Sequence, residues 1–134
     1  MADYTDIILA SISARENSYC PYSDFAVGAA LKAKSGKIYT GCNVESAAFT
    51  PTCCAERLAF FKAVEAGETE FEAIAVIGGN KGEEIKTLCM PCGVCREVMR
   101  EFCKEDFKVI SVIDGQKFRV FDFEEILPNS FAGL

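Results

Sequence analysis

Two short cysteine motifs constrain this chain more than any other feature of its sequence. Cys54 stands two residues before Glu56, and Cys92 and Cys95 follow Pro91 at a spacing of three. Each motif stands where a helix could begin, and residues three apart lie about one helical turn apart. Three thiolates on one zinc ion leave a fourth position for water, which distinguishes a catalytic from a structural site. The sequence therefore predicts two helix starts that meet at one zinc ion, with Glu56 beside it to move protons.

Composition narrows the classes of function. The chain has 134 residues and a formal net charge of -6, which predicts one domain over residues 1–134 and no basic surface for a phosphate backbone. It has eight cysteines and no histidine, so the zinc ligands must be Cys, Asp or Glu and the general base cannot be imidazole. The N-terminus lacks a signal-peptide pattern, and no apolar run approaches the length of a membrane span. We therefore expect a cytoplasmic protein that acts on a small molecule, not on nucleic acid or at a membrane.

The hydrophobic pattern predicts alternating helices and strands. Predicted helices cover residues 4–15, 54–66, 92–103 and a final turn at 122–127. Predicted strands cover residues 25–33, 38–44, 71–77, 108–113 and 118–121, with a loop at 78–91. Strands and helices that alternate in the middle of a chain imply crossover connections, hence an α/β fold with a mixed sheet and helices on its faces. Both cysteine motifs then start helices that can meet at one end of the sheet.

Other uses of the cysteines stay open from the residues alone. Cys89 could supply a fourth sulfur and close a structural zinc site, but Glu56 would then have no role. A redox pair in the second motif would leave Glu56 unexplained as well. Cys53 could replace Cys54 as a ligand, which would change the spacing to Glu56. We favour the set of three that contains Cys54.

A site of three thiolates carries excess negative charge. Three thiolates on Zn²⁺ leave a net charge of -1, which weakens the power of the metal to acidify water. Helix N-termini carry partial positive charge and offset part of this excess. Arg57 follows Glu56 directly and is predicted to donate a charge-assisted hydrogen bond to a thiolate. The sequence does not decide whether Arg57 or Arg96 contributes more.

Several motifs in a fixed order resemble those of the small zinc-dependent cytidine deaminases of the homotetrameric type. They are Pro21-Tyr22-Ser23-Asp24-Phe25, Val27-Gly28-Ala29-Ala30-Leu31, Gly41-Cys42-Asn43-Val44-Glu45, Cys54-Ala55-Glu56-Arg57, Pro91-Cys92-Gly93-Val94-Cys95-Arg96, and Leu127-Pro128 followed by Phe131. The resemblance covers nearly the whole chain and implies a three-layer α/β/α fold with a five-stranded mixed sheet. It also implies hydrolytic deamination of cytidine and 2'-deoxycytidine to uridine and 2'-deoxyuridine, with release of ammonia, in pyrimidine salvage.

The resemblance also implies a role for individual residues. Cys54, Cys92 and Cys95 would hold one zinc ion per subunit, and a zinc-activated hydroxide would attack C4 of cytosine while Glu56 shuttles the protons. The implied substrate-binding residues are Phe25, Asn43, Val44, Glu45, Ala55 and Phe131. Of these, Asn43 and Glu45 would bind the ribose hydroxyls, and Phe25 would pack near the base. Phe131 would reach into the site of a neighbouring subunit in a homotetramer.

The loop after the second strand departs from the family pattern. Phe49 stands where many relatives have tyrosine, and Thr50 and Pro51 stand where glycine is common. We therefore expect a different loop shape and the loss of one hydroxyl contact to the sugar. Alternative functions are deamination of a cytosine-containing antibiotic or a modified nucleoside on the same fold, a structural zinc module that binds a protein, and, against the acidic charge, nucleic-acid editing.

Overall fold

A five-stranded mixed sheet forms the centre of the computed structural model, which describes residues 3–131. The strands are β1 (Phe25–Ala33), β2 (Ile38–Cys42), β3 (Phe71–Asn80), β4 (Lys108–Val112) and β5 (Phe118–Asp122). Their order in the sheet is β2-β1-β3-β4-β5. Only β3 and β4 pair in parallel, and the other neighbours are antiparallel. The mixed sheet predicted from the alternation of elements is confirmed.

Helices cover both faces of this sheet. They are α1 (Thr5–Arg15), α2 (Ala55–Glu65), α3 (Gly93–Phe102) and the short α4 (Phe123–Ile126). Successive residues of a strand point to opposite faces, so Ala73 and Ala75 of β3 pack with α1, whereas Ile74 and Val76 pack on the side of α2 and α3. The near-continuous apolar run in β3 follows from this double burial. The three-layer α/β/α arrangement is therefore confirmed.

The ends of β2 and β3 differ from the predicted ones by two or three residues, and those of β4 and β5 by one. β3 continues to Asn80, beyond the predicted end at residue 77, because β1 continues to pair with it as far as Phe25↔Asn80. The loop predicted to begin at residue 78 therefore begins after the strand, at Lys81. β2 ends at Cys42 instead of residue 44, since Val44 leaves β1 and forms isolated bridges to two other segments. Local pattern does not reveal such pairing choices, which depend on the neighbouring strand.

A close contact between β2 and α2 determines where the first cysteine motif lies. A Cβ added at Gly41 would stand 2.2 Å from the Ala55 carbonyl oxygen and 2.8 Å from the Ala59 amide nitrogen. Only glycine allows the first turn of α2 to approach the strand this closely. The N-terminus of α2 is thus held against the end of β2 that leads to Asn43 and Glu45. Among the helices of residues 3–131, none has the length and apolarity that a membrane crossing requires.

Candidate active site

Three cysteine sulfurs converge at the starts of two helices. Cys54 is the N-cap residue of α2 and Cys92 that of α3, while Cys95 lies buried in the first turn of α3. The Sγ atoms of Cys54 and Cys92 are 3.8 Å apart, and those of Cys92 and Cys95 are 3.5 Å apart. Thiolates at about 2.3 Å from a tetrahedral zinc ion would be separated by roughly 3.8 Å. The spacing and the soft donor set therefore fit zinc, and within residues 3–131 this group of possible metal-binding side chains has these three members.

The two other cysteines considered from sequence lie outside this group. The Cys89 thiol is packed against β3, where a Cβ added at Gly78 would come within 2.6 Å of its Sγ. The Cys53 thiol donates to the carbonyl oxygen of Cys54 at 3.5 Å. Neither sulfur belongs to the group of three that lies within reach of one metal ion, and burial raises the pKa of both thiols.

Glu56 is buried beside the sulfurs, in the first turn of α2. Its side chain belongs to a residue that is only 4% exposed. Burial raises the pKa of Glu56 to about 7, and the neighbouring Cys54 thiolate adds to the rise, while its own backbone amide and Arg57 oppose it. A carboxyl group with such a pKa can both accept and release a proton near neutral pH.

Arg57 is the arginine that reaches a sulfur. Its Nη2 atom donates to Cys54 Sγ at 3.4 Å and to the carbonyl oxygen of Thr52 at 3.3 Å. The pKa of the Cys54 thiol is lowered, chiefly by a hydrogen bond with Cys95 and also by Arg57, against the opposing effect of burial. These contacts favour the thiolate form at the first cysteine motif.

Arg96 has a different set of partners. Its Nε atom donates to the carbonyl oxygen of Pro91 at 2.7 Å, and its Nη1 atom donates to the carbonyl oxygen of Ile126. Arg96 therefore joins the start of α3 to the chain after β5 and binds carbonyl oxygens in both contacts. The sequence does not show which arginine contacts a sulfur, because Arg57 follows Glu56 and Arg96 follows Cys95 in the same way. The fold decides it in favour of Arg57.

A pocket of about 310 Å³ opens over the sulfurs and Glu56. Its lining includes Cys54, Ala55, Glu56 and Cys92 from the two cysteine motifs, together with Phe25, Asn43 and Glu45. These seven predicted site residues share one pocket, and Cys95 and Arg57 each contact one of its sulfurs. Two others lie elsewhere: the exposed Val44 forms backbone bridges to Tyr19 and Cys53, and Phe131 is 67% exposed near the end of the described chain.

Asn43 and Glu45, two polar residues of the pocket lining, are held by hydrogen bonds to nearby backbone groups. Asn43 Oδ1 accepts from the Val27 amide at 2.9 Å, and Asn43 Nδ2 donates to the Phe25 carbonyl at 2.7 Å. Glu45 accepts hydrogen bonds from the turn at residues 22–23. Ser23 also lines the pocket, and sequence analysis assigned it no role although it belongs to one of the motifs. The sequence feature that could have indicated a role for Ser23 is its position in the predicted loop directly before β1.

The loop with the unusual Phe49 is closed by its own hydrogen bonds. The Ser46 amide donates to Thr52 Oγ1 at 3.0 Å, and the Phe49 amide donates to the Ser46 carbonyl at 3.0 Å. Phe49 has a φ of 61° and is 76% exposed. A bulky residue in the left-handed region is uncommon, and Phe49 is not one of the residues that line the pocket.

Comparisons with known proteins define the family. The family model described as "Cytidine and deoxycytidylate deaminase zinc-binding region" matches residues 1–111. The cytidine deaminase of Sporosarcina psychrophila is 49% identical over 130 residues, which cover 97% of this chain and 92% of that protein. The crystal structure of cytidine deaminase from Burkholderia pseudomallei is 42% identical, with a TM-score of 0.85 over 97% of this chain and 100% of that one. This chain belongs to the cytidine and deoxycytidylate deaminase zinc-binding family, and the resemblance seen in the sequence is confirmed.

Family membership and the three-sulfur cluster together identify the cofactor as zinc. A more distant relative is the blasticidin-S deaminase of Bacillus cereus, which is 30% identical over 109 residues. That alignment covers 79% of this chain and 76% of the relative. The relatives of this chain are therefore named for more than one substrate.

Proposed function

We propose that this protein is a cytidine deaminase that converts cytidine and 2'-deoxycytidine to uridine and 2'-deoxyuridine plus ammonia. The observation that carries the proposal is the buried Glu56 beside three convergent cysteine sulfurs, in the lining of a pocket of nucleoside size. Cytidine deaminases at 49% and 42% identity support the same activity. We further propose that the chain acts as one domain in the cytoplasm, in the salvage of free pyrimidine nucleosides.

In this mechanism Cys54, Cys92 and Cys95 hold the zinc ion. When bound, zinc acts as a Lewis acid that activates water as a nucleophile. Arg57 donates to the Cys54 sulfur and offsets part of the negative charge of the sulfurs. The helix N-termini that carry the cysteines act in the same direction.

Glu56 performs the proton transfers. Its carboxylate takes a proton from the attacking water and delivers it to N3 of cytosine, while the water oxygen forms a bond to C4. It then passes the second proton of that water to the exocyclic amino group. The C4–N bond breaks, and ammonia leaves with the electron pair of that bond. One group can serve in both directions because burial raises its pKa toward neutral pH.

Asn43 and Glu45 would recognise the sugar. In Asn43 the backbone contacts use one amide hydrogen and one lone pair, which leaves one donor and one acceptor for a hydroxyl group. Glu45 would accept a hydrogen bond from a second hydroxyl or from the same one. Phe25 and Ala55 also line the pocket and would contact the base. Val44 remains a predicted contact of the substrate.

We also propose a homotetramer in which Phe131 of one subunit enters the site of another. An aromatic side chain that is 67% exposed gains burial in such an interface. Light scattering coupled to gel filtration should give four chains per particle. Phe131→Ala should raise the KM for cytidine without loss of zinc, and a monomeric wild-type protein with full activity would contradict this part of the proposal.

The direct test of the activity is to incubate the zinc-loaded protein with cytidine. Uridine should appear by its ultraviolet spectrum, with an equal amount of ammonia. A protein that holds zinc but releases no ammonia would support the structural zinc module instead. Assays on single-stranded RNA and DNA test nucleic-acid editing, for which no turnover is expected.

A second candidate substrate is a cytosine-containing antibiotic. The relative named blasticidin-S deaminase favours it. Asn43 and Glu45 favour an unmodified sugar instead, because both keep hydrogen-bonding capacity for hydroxyl groups. Parallel measurements of kcat/KM for cytidine and blasticidin S decide between the two, and a higher value for the antibiotic would replace the primary proposal.

A further inference from the structure

The turn before β1 holds the Glu45 carboxylate through three hydrogen bonds from two consecutive residues. The amides of Tyr22 and Ser23 donate to Oε1 at 2.9 and 3.2 Å, and the Ser23 hydroxyl donates to Oε2. The Ser23 oxygen accepts in turn from the Phe25 amide at 3.0 Å. The hydroxyl is therefore oriented by the backbone, with its proton directed at the carboxylate.

Other contacts fix the turn relative to Glu45. The Tyr19 amide donates to the Asn43 carbonyl at 2.9 Å, and the Glu45 amide donates to the Tyr19 carbonyl at 2.8 Å. The Asp24 amide donates to the carbonyl of the buried Cys20 at 2.9 Å, and Asp24 takes a left-handed φ of 59° that reverses the chain into β1. The carboxylate and its donors therefore belong to one hydrogen-bonded unit.

The number of occupied lone pairs defines what Glu45 can still bind. An ionised carboxylate offers about four acceptor positions, and the turn uses three of them, two on Oε1 and one on Oε2. The terminal torsion of glutamate is broad, so the two bonds to Oε1 alone leave the direction of Oε2 poorly defined. The bond from Ser23 fixes that direction and leaves one acceptor position on Oε2.

We propose that Ser23 is a positioning residue that aims the remaining acceptor position of Glu45 at a sugar hydroxyl and thereby sets selectivity for a hydroxylated sugar. This inference rests on the proposed function, in which Glu45 contacts the sugar. Preorganised acceptors bind better because less side-chain freedom is lost on binding. The contribution of Ser23 should therefore depend on the hydroxyl groups of the substrate.

The test compares cytidine with 2',3'-dideoxycytidine, which lacks both ring hydroxyls. Ser23→Ala should lower kcat/KM for cytidine about 10-fold, mainly through KM, since the lost bond goes to a charged group. For the dideoxy substrate the loss should be smaller, below about 3-fold, because that substrate does not use the acceptor. Ser23→Thr keeps the hydroxyl and should restore most of the activity toward cytidine.

A matched control removes the same kind of hydrogen bond far from the pocket. Ser35 Oγ donates to Glu68 Oε2 at 2.8 Å in an exposed turn. Ser35→Ala should leave the ratio of the two kcat/KM values within about 2-fold of wild type, as expected for a surface contact. An equal loss on both substrates in Ser23→Ala would show a merely structural role and overturn the inference. A wild-type enzyme that does not distinguish the two substrates would overturn it as well.

A measurement without substrate separates this inference from the proposed function. If the wild-type protein turns over neither nucleoside, the proposed function fails, but the contact to Glu45 remains measurable. The Ser23 hydroxyl is the first cause that lowers the pKa of Glu45, followed by the two amides, against the effect of burial. Carbon-13 NMR of the carboxyl group should show a higher pKa for Glu45 in Ser23→Ala than in wild type or Ser35→Ala. An unchanged pKa would overturn the positioning role whatever the activity.

Discussion

Glu45 and Glu56 line the same pocket, yet their surroundings shift their pKa values in opposite directions. Burial in the first turn of α2 raises the pKa of Glu56 to about 7. Hydrogen bonds from Ser23 and from the amides of Tyr22 and Ser23 lower the pKa of Glu45 below its usual range. A carboxyl group that exchanges protons near neutral pH suits catalysis, and one that stays ionised suits recognition of a hydroxyl donor. Environment, not residue type, therefore separates the roles of these two carboxyl groups.

The largest effect is expected when the buried carboxyl group of Glu56 can no longer exchange protons. Glu56→Gln has nearly the same shape but cannot cycle a proton, so kcat/KM for cytidine should fall about 10²- to 10⁴-fold. Zinc content by mass spectrometry and the melting temperature should stay close to wild type. Glu65→Gln, at an exposed position in the same helix, is the matched control and should keep full activity. Near-normal turnover in Glu56→Gln would remove this residue from the mechanism.

The second prediction tests which cysteines bind the zinc ion beside Glu56. Cys54→Ser should lose most of the zinc after dialysis, because a hydroxyl is a much weaker zinc ligand than a thiolate. Cys89→Ser should keep about one zinc ion per chain, as expected for a site with three sulfurs. Metal analysis of both variants by atomic emission gives the answer. Zinc loss in Cys89→Ser would indicate a closed site with four sulfurs, in which Glu56 has no water to activate.

The third prediction tests how the close packing of β2 against α2 positions Cys54 and Glu56. Gly41→Ala puts a Cβ at 2.2 Å from the Ala55 carbonyl, so the first turn of α2 must move. Overpacking of this kind costs about 1–3 kcal/mol of unfolding free energy, and a displaced Cys54 should also weaken zinc retention. Urea unfolding and zinc content measure the two consequences. Gly115→Ala, where the nearest atom is 3.8 Å away, is the control, and equal stability losses in both variants would contradict a specific contact at Gly41.

The smallest effect concerns the contribution of Glu45 to the pH dependence of the unfolding free energy. Because hydrogen bonds from Ser23 and the turn amides lower the pKa of Glu45 from its ordinary value of 4.5, its ionised form stabilises the fold above the unfolded pKa. This contribution is lost as the pH falls through the folded pKa. Glu45→Gln should therefore flatten the acid limb of a plot of unfolding free energy against pH. Glu65→Gln should leave that limb unchanged, and an unchanged limb in Glu45→Gln would show that the bonds to the turn add no stability.

Several features follow from sequence periodicity because they are local. β1 has the bounds predicted for it, and the predicted starts of α2 and α3 lie one residue from the observed ones, at cysteines that prove to be N-caps. The residue types and spacing of the cysteine motifs also indicate zinc before any coordinates. The ends of β2 and β3 could not be predicted in the same way. They depend on how far β1 remains paired with each neighbour, which is a tertiary property.

Residue types and local periodicity are enough to predict the donor chemistry and the order of elements, and the ordered motifs resemble those of the family. Three contacts depend on the folded chain instead: which arginine reaches a sulfur, the position of Cys89 outside the zinc-binding cluster, and the hydrogen bond from Ser23 to Glu45. These are contacts between segments distant in the chain, and their distances follow from the pairing of strands and the approach of α2 to β2 at Gly41. The opposite pKa shifts of Glu45 and Glu56 are decided at the same level, since burial and hydrogen-bond donors exist only once the chain has folded.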